Sequence, residues 1–139
     1  MRLTLIQTNL HWENPVANRT LFSNKMNGLI GKTDIIVLPE MFTTGFSMRS
    51  HELAETMDGA TVAWAIGEAK RVQAVITGSL IIKEKDQYYN RLIWVTPDGA
   101  IDYYNKKHLF TLASEEDYYT AGTEKKIFKY KGWKICPMI

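Results

Sequence analysis

The chain opens with apolar and polar positions in alternation. In "RLTLIQTNL", Leu3 and Leu5 are separated by polar neighbours, the two-residue period of a strand. The period then changes. In "ENPVANRTLFSNKMNGLIGKTD", Phe22, Met26, Leu29 and Ile30 fall at three- and four-residue steps, which predicts a helix with one apolar face. Asn14 is placed to cap it, Pro15 suits its first position, and Gly31 suits its C-terminal stop. In "DIIVLPE" the run from Ile35 to Leu38 is apolar throughout, as in a strand covered on both faces. It breaks at Pro39, and the next residue is a carboxylate, Glu40.

A second helix is predicted over "DGATVAWAIGEAKRVQ", with Asp58 at its cap and a small-residue face of Ala60, Ala63, Trp64 and Gly67. "AVITGSLIIKEKD" reads as a third strand. "QYYNRLIWVTPDGAIDYYNKKHLF" reads as a hairpin that leaves its first strand at Val95, turns at "TPDG" and resumes at Ala100. "TLASEEDYYTAGTE" is a loop, and "KIFKYKGWKICPMI" a last hairpin about Lys131 and Gly132. Six of the seven tyrosines come as doublets, and one of each pair is expected in the core. Strand, helix, strand, helix, strand and then hairpins is an α/β layered pattern. Ligand sites in such sheets lie beyond the carboxyl ends of strands, where Glu40 falls.

Composition narrows the function classes. The 139 residues are 45% apolar and suit one domain over 1–139. Lys and Arg number 17 against 15 acidic residues, with no basic stripe, which argues against nucleic acid as a partner. One Cys excludes an intramolecular disulfide and a Cys-rich metal site. His11, His51 and His108 lack ligand spacing, so no metal is expected. No stretch approaches the roughly 20 apolar residues of a membrane helix, and the N-terminal run is too short for a signal peptide. A soluble, cytoplasmic protein is the expectation.

Three places carry candidate chemistry. Glu40 is either a solvated turn residue or a general base. Its neighbours Leu38, Met41, Phe42 and Phe46 would partly desolvate it and strengthen it as a proton acceptor. In "YYNKKHLF", Lys106 and Lys107 are either exposed edge charges or a pair of which one points inward, since strand neighbours face opposite ways. An inward ammonium needs a partner that Glu40 could supply, and it could stabilise an oxyanion. His108 reads as structural. Cys136, between Ile135 and Pro137, reads as a buried structural thiol.

Together these pieces resemble the nitrilase superfamily of carbon–nitrogen hydrolases. "VLPEMFTTGF" looks like that family's general-base motif, with Glu40 as the base. "YNKKHLF" looks like its catalytic-lysine motif, with Lys106 in the role and Lys107 turned away. A further family glutamate supports the lysine; Glu115 fits it, with Glu116 as the alternative. "PEMFTTGFSM" and "KKHLFTLASEEDYYTAG" are most similar to the omega-amidase branch, which hydrolyses 2-oxo-dicarboxylate monoamides such as 2-oxoglutaramate. The resemblance implies the N-terminal half of an α-β-β-α four-layer sandwich, a homodimer, a small-molecule amide substrate and no cofactor. Phe42 and Phe46 are candidate pocket walls, and Arg49 is a candidate for the substrate's distal carboxylate. The family's nucleophilic Cys opens a motif like "CYDLRFP" after a strand such as "ICPMI". The chain is expected to break at that Cys, for instance because the residue is modified. The alternatives are another amidase, an N-carbamoyl hydrolase or a nitrilase of the superfamily, or a non-catalytic α/β binding module that truly lacks the Cys.

Overall fold

The computed structural model describes residues 1–139. Five strands form one sheet in chain order: β1 (Leu3–Leu5), β2 (Ile35–Val37), β3 (Val75–Glu84), β4 (Gln87–Val95) and β5 (Ile101–Asn105). β1, β2 and β3 run parallel, while β4 and β5 follow antiparallel. Helix α1 (Pro15–Met26) links β1 to β2; a short α2 (Ser50–Leu53) and then α3 (Ala60–Val72) link β2 to β3. Right-handed crossovers that step the same way across a sheet put their helices on the same face. Accordingly Phe22 and Met26 of α1 and Ala65 and Ala69 of α3 close over Ile36 and Ile76 in the main core.

α1 starts as its sequence dictates. Asn14 accepts the Ala17 N–H at 3.1 Å and Pro15 is the first helical residue. It ends at Met26 and tightens into a 3-10 turn, Asn27–Leu29, before Gly31 takes φ +68°. Ile30 therefore leaves the helix face and is exposed. The buried stripe of α3 also differs from expectation. Thr61, Val62, Ala65, Glu68, Ala69 and Val72 face inward, while Ala60, Ala63 and Gly67 are exposed and Trp64 is half-buried. The two valines offer more apolar area than the alanines they displace. Glu68 is tolerated because Ser23 and Arg71 donate to its carboxylate. Asp58 does not cap the helix. Glu55 does so from the preceding loop, its Oε2 accepting the Thr61 N–H at 2.7 Å.

The sheet's other face is dressed differently. Leu3 and Leu5 lie on it and are exposed. A hairpin, β6 (Phe128–Tyr130) and β7 (Trp133–Ile135), sets Phe128 against Trp94 with ring centroids 4.8 Å apart. Lys131, at the hairpin's turn, donates to Asp34 before β2; that bond, and the Arg2 N–H, hold the Asp34 carboxyl down to about 2. Helices on one face of a mixed sheet give the expected α/β class and supply one helix layer and one sheet layer of the sandwich. Tyr104 and Tyr119 are buried and Tyr103 and Tyr118 exposed, as the doublets suggested; Tyr88 and Tyr89 are both half-buried. No helix is long and apolar enough to cross a membrane.

Candidate active site

Beyond Val37 the chain keeps following β3. Leu38 N–H donates to Thr77 O at 2.7 Å, Met41 N–H to Ser79 Oγ at 2.8 Å and Phe42 N–H to Ser79 O at 2.9 Å. This track needs Gly78. A Cβ there would stand 2.8 Å from Leu38 Cβ and 3.0 Å from Phe42 Cδ1. Met41 takes φ +45°, a conformation that costs a side-chain-bearing residue about 1–2 kcal/mol. Its full burial and the Ser79 bond hold it there. The reversal at Met41 leaves Glu40, 36% exposed at its side chain, on the rim of an open cleft.

Lys106 arrives from the far edge of the sheet. Its N–H donates to Asn90 O at 2.9 Å, which extends the β4–β5 ladder by one residue. Alternation sends Tyr104 and Lys106 to the face away from the helices and Asn105 to the other. Only 6% of Lys106 is exposed. Its Nζ donates to Glu40 Oε1 at 2.7 Å and to Glu115 Oε2 at 2.9 Å. Glu115 stands on a 3-10 turn, Glu115–Asp117, and is wholly buried; its Oε2 also accepts the Phe110 N–H at 2.7 Å. Glu116, the alternative, is exposed. Burial works against the Lys106 charge, but the hydrogen bonds and charges of Glu40 and Glu115 outweigh it and hold the ammonium above the ordinary lysine range. Behind Glu115, Tyr119 is buried and donates to Ser47 O; burial and the Glu115 charge push its phenol up.

The cleft has a volume of about 440 Å³ and is lined by Glu40, Phe46, Lys106, Leu109 and Phe110, with His108 and Ile139 completing it. Lys106 Nζ lies 5.1 Å from the Phe46 ring centroid. Phe42 is not a wall. It is fully buried in the main core against Phe22 and Trp64, because the Met41 reversal turns it toward the helices. Arg49 is spoken for by Glu13, at 2.6 Å. His108 is exposed at the rim, and Lys107 reaches only Thr123 O at 3.4 Å. Cys136 is exposed, not buried: β7 ends at Ile135, and it is Pro137 that turns inward.

One polar residue was not anticipated. Asn90 is completely buried in mid-strand, and its Nδ2 donates to Glu40 Oε1 at 2.7 Å and to Glu115 Oε1 at 3.1 Å. The signal was a lone amide inside the apolar strand "YYNRLIW". The four side chains come from four separate segments: the β2 end, mid-β4, the β5 end and the following loop. They set a carboxylate able to exchange a proton beside a fixed ammonium able to stabilise a developing negative charge.

The chain matches the carbon-nitrogen hydrolase family over residues 4–139. It is 36% identical to the omega-amidase YafV of Escherichia coli, over 100% of this chain and 54% of that protein. It is 32% identical to the 2-oxoglutaramate amidase of Bacillus subtilis, over 76% of this chain and 42% of that one. The crystal structure of XC1258 from Xanthomonas campestris, a CN-hydrolase superfamily protein with an arsenic adduct in the active site, superposes with a TM-score of 0.96 at 43% identity; the match covers 99% of this chain and 52% of that one. The chain spans about half the length of the curated relatives it matches. It belongs to the carbon-nitrogen hydrolase family.

Proposed function

We propose that the intact protein is an omega-amidase, which hydrolyses the distal amide of a 2-oxo-dicarboxylate monoamide such as 2-oxoglutaramate. The observation that carries the reading is Lys106 Nζ held between Glu40 and Glu115 on the floor of an open cleft. The likeness to proteins named for omega-amidase and 2-oxoglutaramate amidase activity supports the substrate class.

In this reading a cysteine following residue 139 in the intact protein is the nucleophile, and Glu40 takes its proton. The thiolate attacks the amide carbon, and the carbonyl π electrons move to oxygen. Lys106 and a backbone N–H near the nucleophile hold the resulting oxyanion; one such donor is worth roughly 3–4 kcal/mol. The tetrahedral adduct collapses, Glu40 gives its proton to the departing nitrogen, and ammonia leaves behind a thioester. Glu40 then takes a proton from water, whose oxygen attacks the thioester. Collapse releases the dicarboxylic acid, and Glu40 gives that proton to the departing sulfur, which restores both the thiol and the carboxylate. Glu115 keeps the ammonium in place without touching substrate.

An ammonia-release assay on the intact protein with 2-oxoglutaramate, asparagine, an N-carbamoyl amino acid and an aliphatic nitrile tests the reading. The expected result is a kcat/KM for 2-oxoglutaramate at least tenfold above the rest, about 1.4 kcal/mol of discrimination. Preference for the carbamoyl compound or the nitrile moves the protein to another branch of the family. No ammonia from any of them removes the enzymatic reading.

A further inference from the structure

Two donors converge on one oxygen of Glu40. Lys106 Nζ and Asn90 Nδ2 both lie 2.7 Å from Oε1. No hydrogen bond reaches Oε2, and Glu40 lines the open cleft. The amide's orientation is forced. Its carbonyl oxygen could only repel two carboxylates, so Nδ2 must face them and Oδ1 must face away. There Oδ1 finds no partner at all, although it is buried. A buried acceptor without a donor destabilises a fold. A strand residue selected for stability alone would not carry one on a core-facing position. Asn90 is the one neutral group that touches both carboxylates, and it joins them without adding charge to a cluster that already holds two carboxylates and one ammonium.

We propose that Asn90 is a positioning residue for the base: its amide and the Lys106 ammonium together pin Glu40 Oε1, so that Oε2 alone exchanges the proton with the nucleophile, the leaving nitrogen and the water. The inference rests on the proposed role of Glu40. It assigns the two carboxylate oxygens different work. Without the amide, the carboxylate keeps a single anchor at Oε1 and can rotate about its last torsion, presenting the ammonium-bound oxygen as often as the free one. The ionisable groups around the amide are Glu40 and Glu115 in contact with it, Lys106 bonded to both carboxylates, Tyr119 behind Glu115 and His108 at the rim of the cleft.

The test uses the intact protein, with active sites counted by a thiol-reactive probe so that kcat refers to folded molecules only. Asn90→Asp keeps the shape and replaces the donor with a third carboxyl. Its kcat should fall roughly ten- to hundredfold, the worth of one hydrogen bond to a charged group. Its acid limb in kcat/KM should move up by about one pH unit or more, since a like charge disfavours ionised Glu40. KM should stay within about twofold, because the amide touches no substrate. Asn90→Leu should lose a similar factor in kcat with KM again held. An Asn90→Asp enzyme with kcat per site and acid limb both unchanged overturns the inference, whatever happens to its melting temperature. Glu40→Gln is the control that separates the two claims. If it is dead while the Asn90 variants behave as wild type, the Asn90 inference alone fails; if it remains active, the proposed role of Glu40 fails first.

Discussion

β4 and β5 hold two buried cations, one residue apart in the ladder and on opposite faces of the sheet. Arg91 is 1% exposed and faces the helix side; Lys106 pairs one step further on and faces away. Arg91 is finished. Its Nε donates to Asn105 at 2.7 Å and its NH2 group to Glu84 at 2.6 Å, and the rings of Tyr103 and Tyr89 stand 4.0 and 5.3 Å from its guanidinium carbon. One cation meets one carboxylate, and no cleft opens on it. Lys106 meets two carboxylates, one of them fully buried, and borders a cleft of about 440 Å³. Burial of a charge therefore does not mark the site. The difference is a cluster of two carboxylates and one ammonium beside open space, where a carboxylate can take up a proton.

Substitutions at the two cations should separate these roles. Lys106→Met is expected to have the largest effect. Under the proposed mechanism it removes the oxyanion donor and should cost about 10²–10³ in kcat. It also leaves Glu115 buried and unpaired, which costs about 3–5 kcal/mol of stability; ammonia release and urea denaturation read the two losses separately. Arg91→Met should do the opposite. It should lower stability by about 1–3 kcal/mol, since the Asn105 oxygen loses its donor and the half-exposed Glu84 returns to water. Its kcat per active site should stay within about twofold. A turnover defect at Arg91 matching that at Lys106 would erase the distinction.

Gly78→Ala sharpens the comparison from a third direction. The added methyl pushes on Leu38 and Phe42, the residues flanking the turn that presents Glu40. Overpacking of this kind costs about 1–3 kcal/mol. A drop in kcat should accompany it, although the methyl lies on the helix side of the sheet; denaturant melts and kinetics on one sample check both. The pH effect is smaller. The folded-state pKa of Lys106 is raised, so its contribution to stability is complete below the unfolded value of 10.5 and fades as pH climbs through the higher folded value. Wild type should lose more stability than Lys106→Met as pH rises above 10.5, and the two should run parallel below it, in paired denaturation curves. Lys107→Ala should be nearly silent, within about 0.5 kcal/mol and twofold in kcat, since Lys107 makes one long bond to a carbonyl.

Period-two reasoning reached the pair of greatest interest. It placed Glu40 at a strand end and turned one of two successive lysines inward, and the two meet across 66 residues of chain. The same reasoning failed wherever the backbone left the strand. Phe42 follows Met41 at φ +45°, so alternation counted from β2 no longer says which way it points. Cys136 follows the last residue of β7, and the apolar neighbours Ile135 and Pro137 that suggested a buried thiol do not cover it. Asn90 was visible as a polar break in an apolar run, but its partners lie 50 and 25 positions away, and no local pattern names them. On α3 the apolar residues do not form a single stripe. Trp64 drew the expected face toward itself, whereas the valines decided the real one.

The most direct test is the turnover of Glu40→Gln in the intact protein. Glutamine keeps the side chain's size and can still meet Lys106, but it cannot take a proton. The account predicts a folded protein, with a melting transition close to wild type, that releases ammonia from 2-oxoglutaramate at least about a thousandfold more slowly. A Glu40→Gln enzyme working within tenfold of wild type would contradict it.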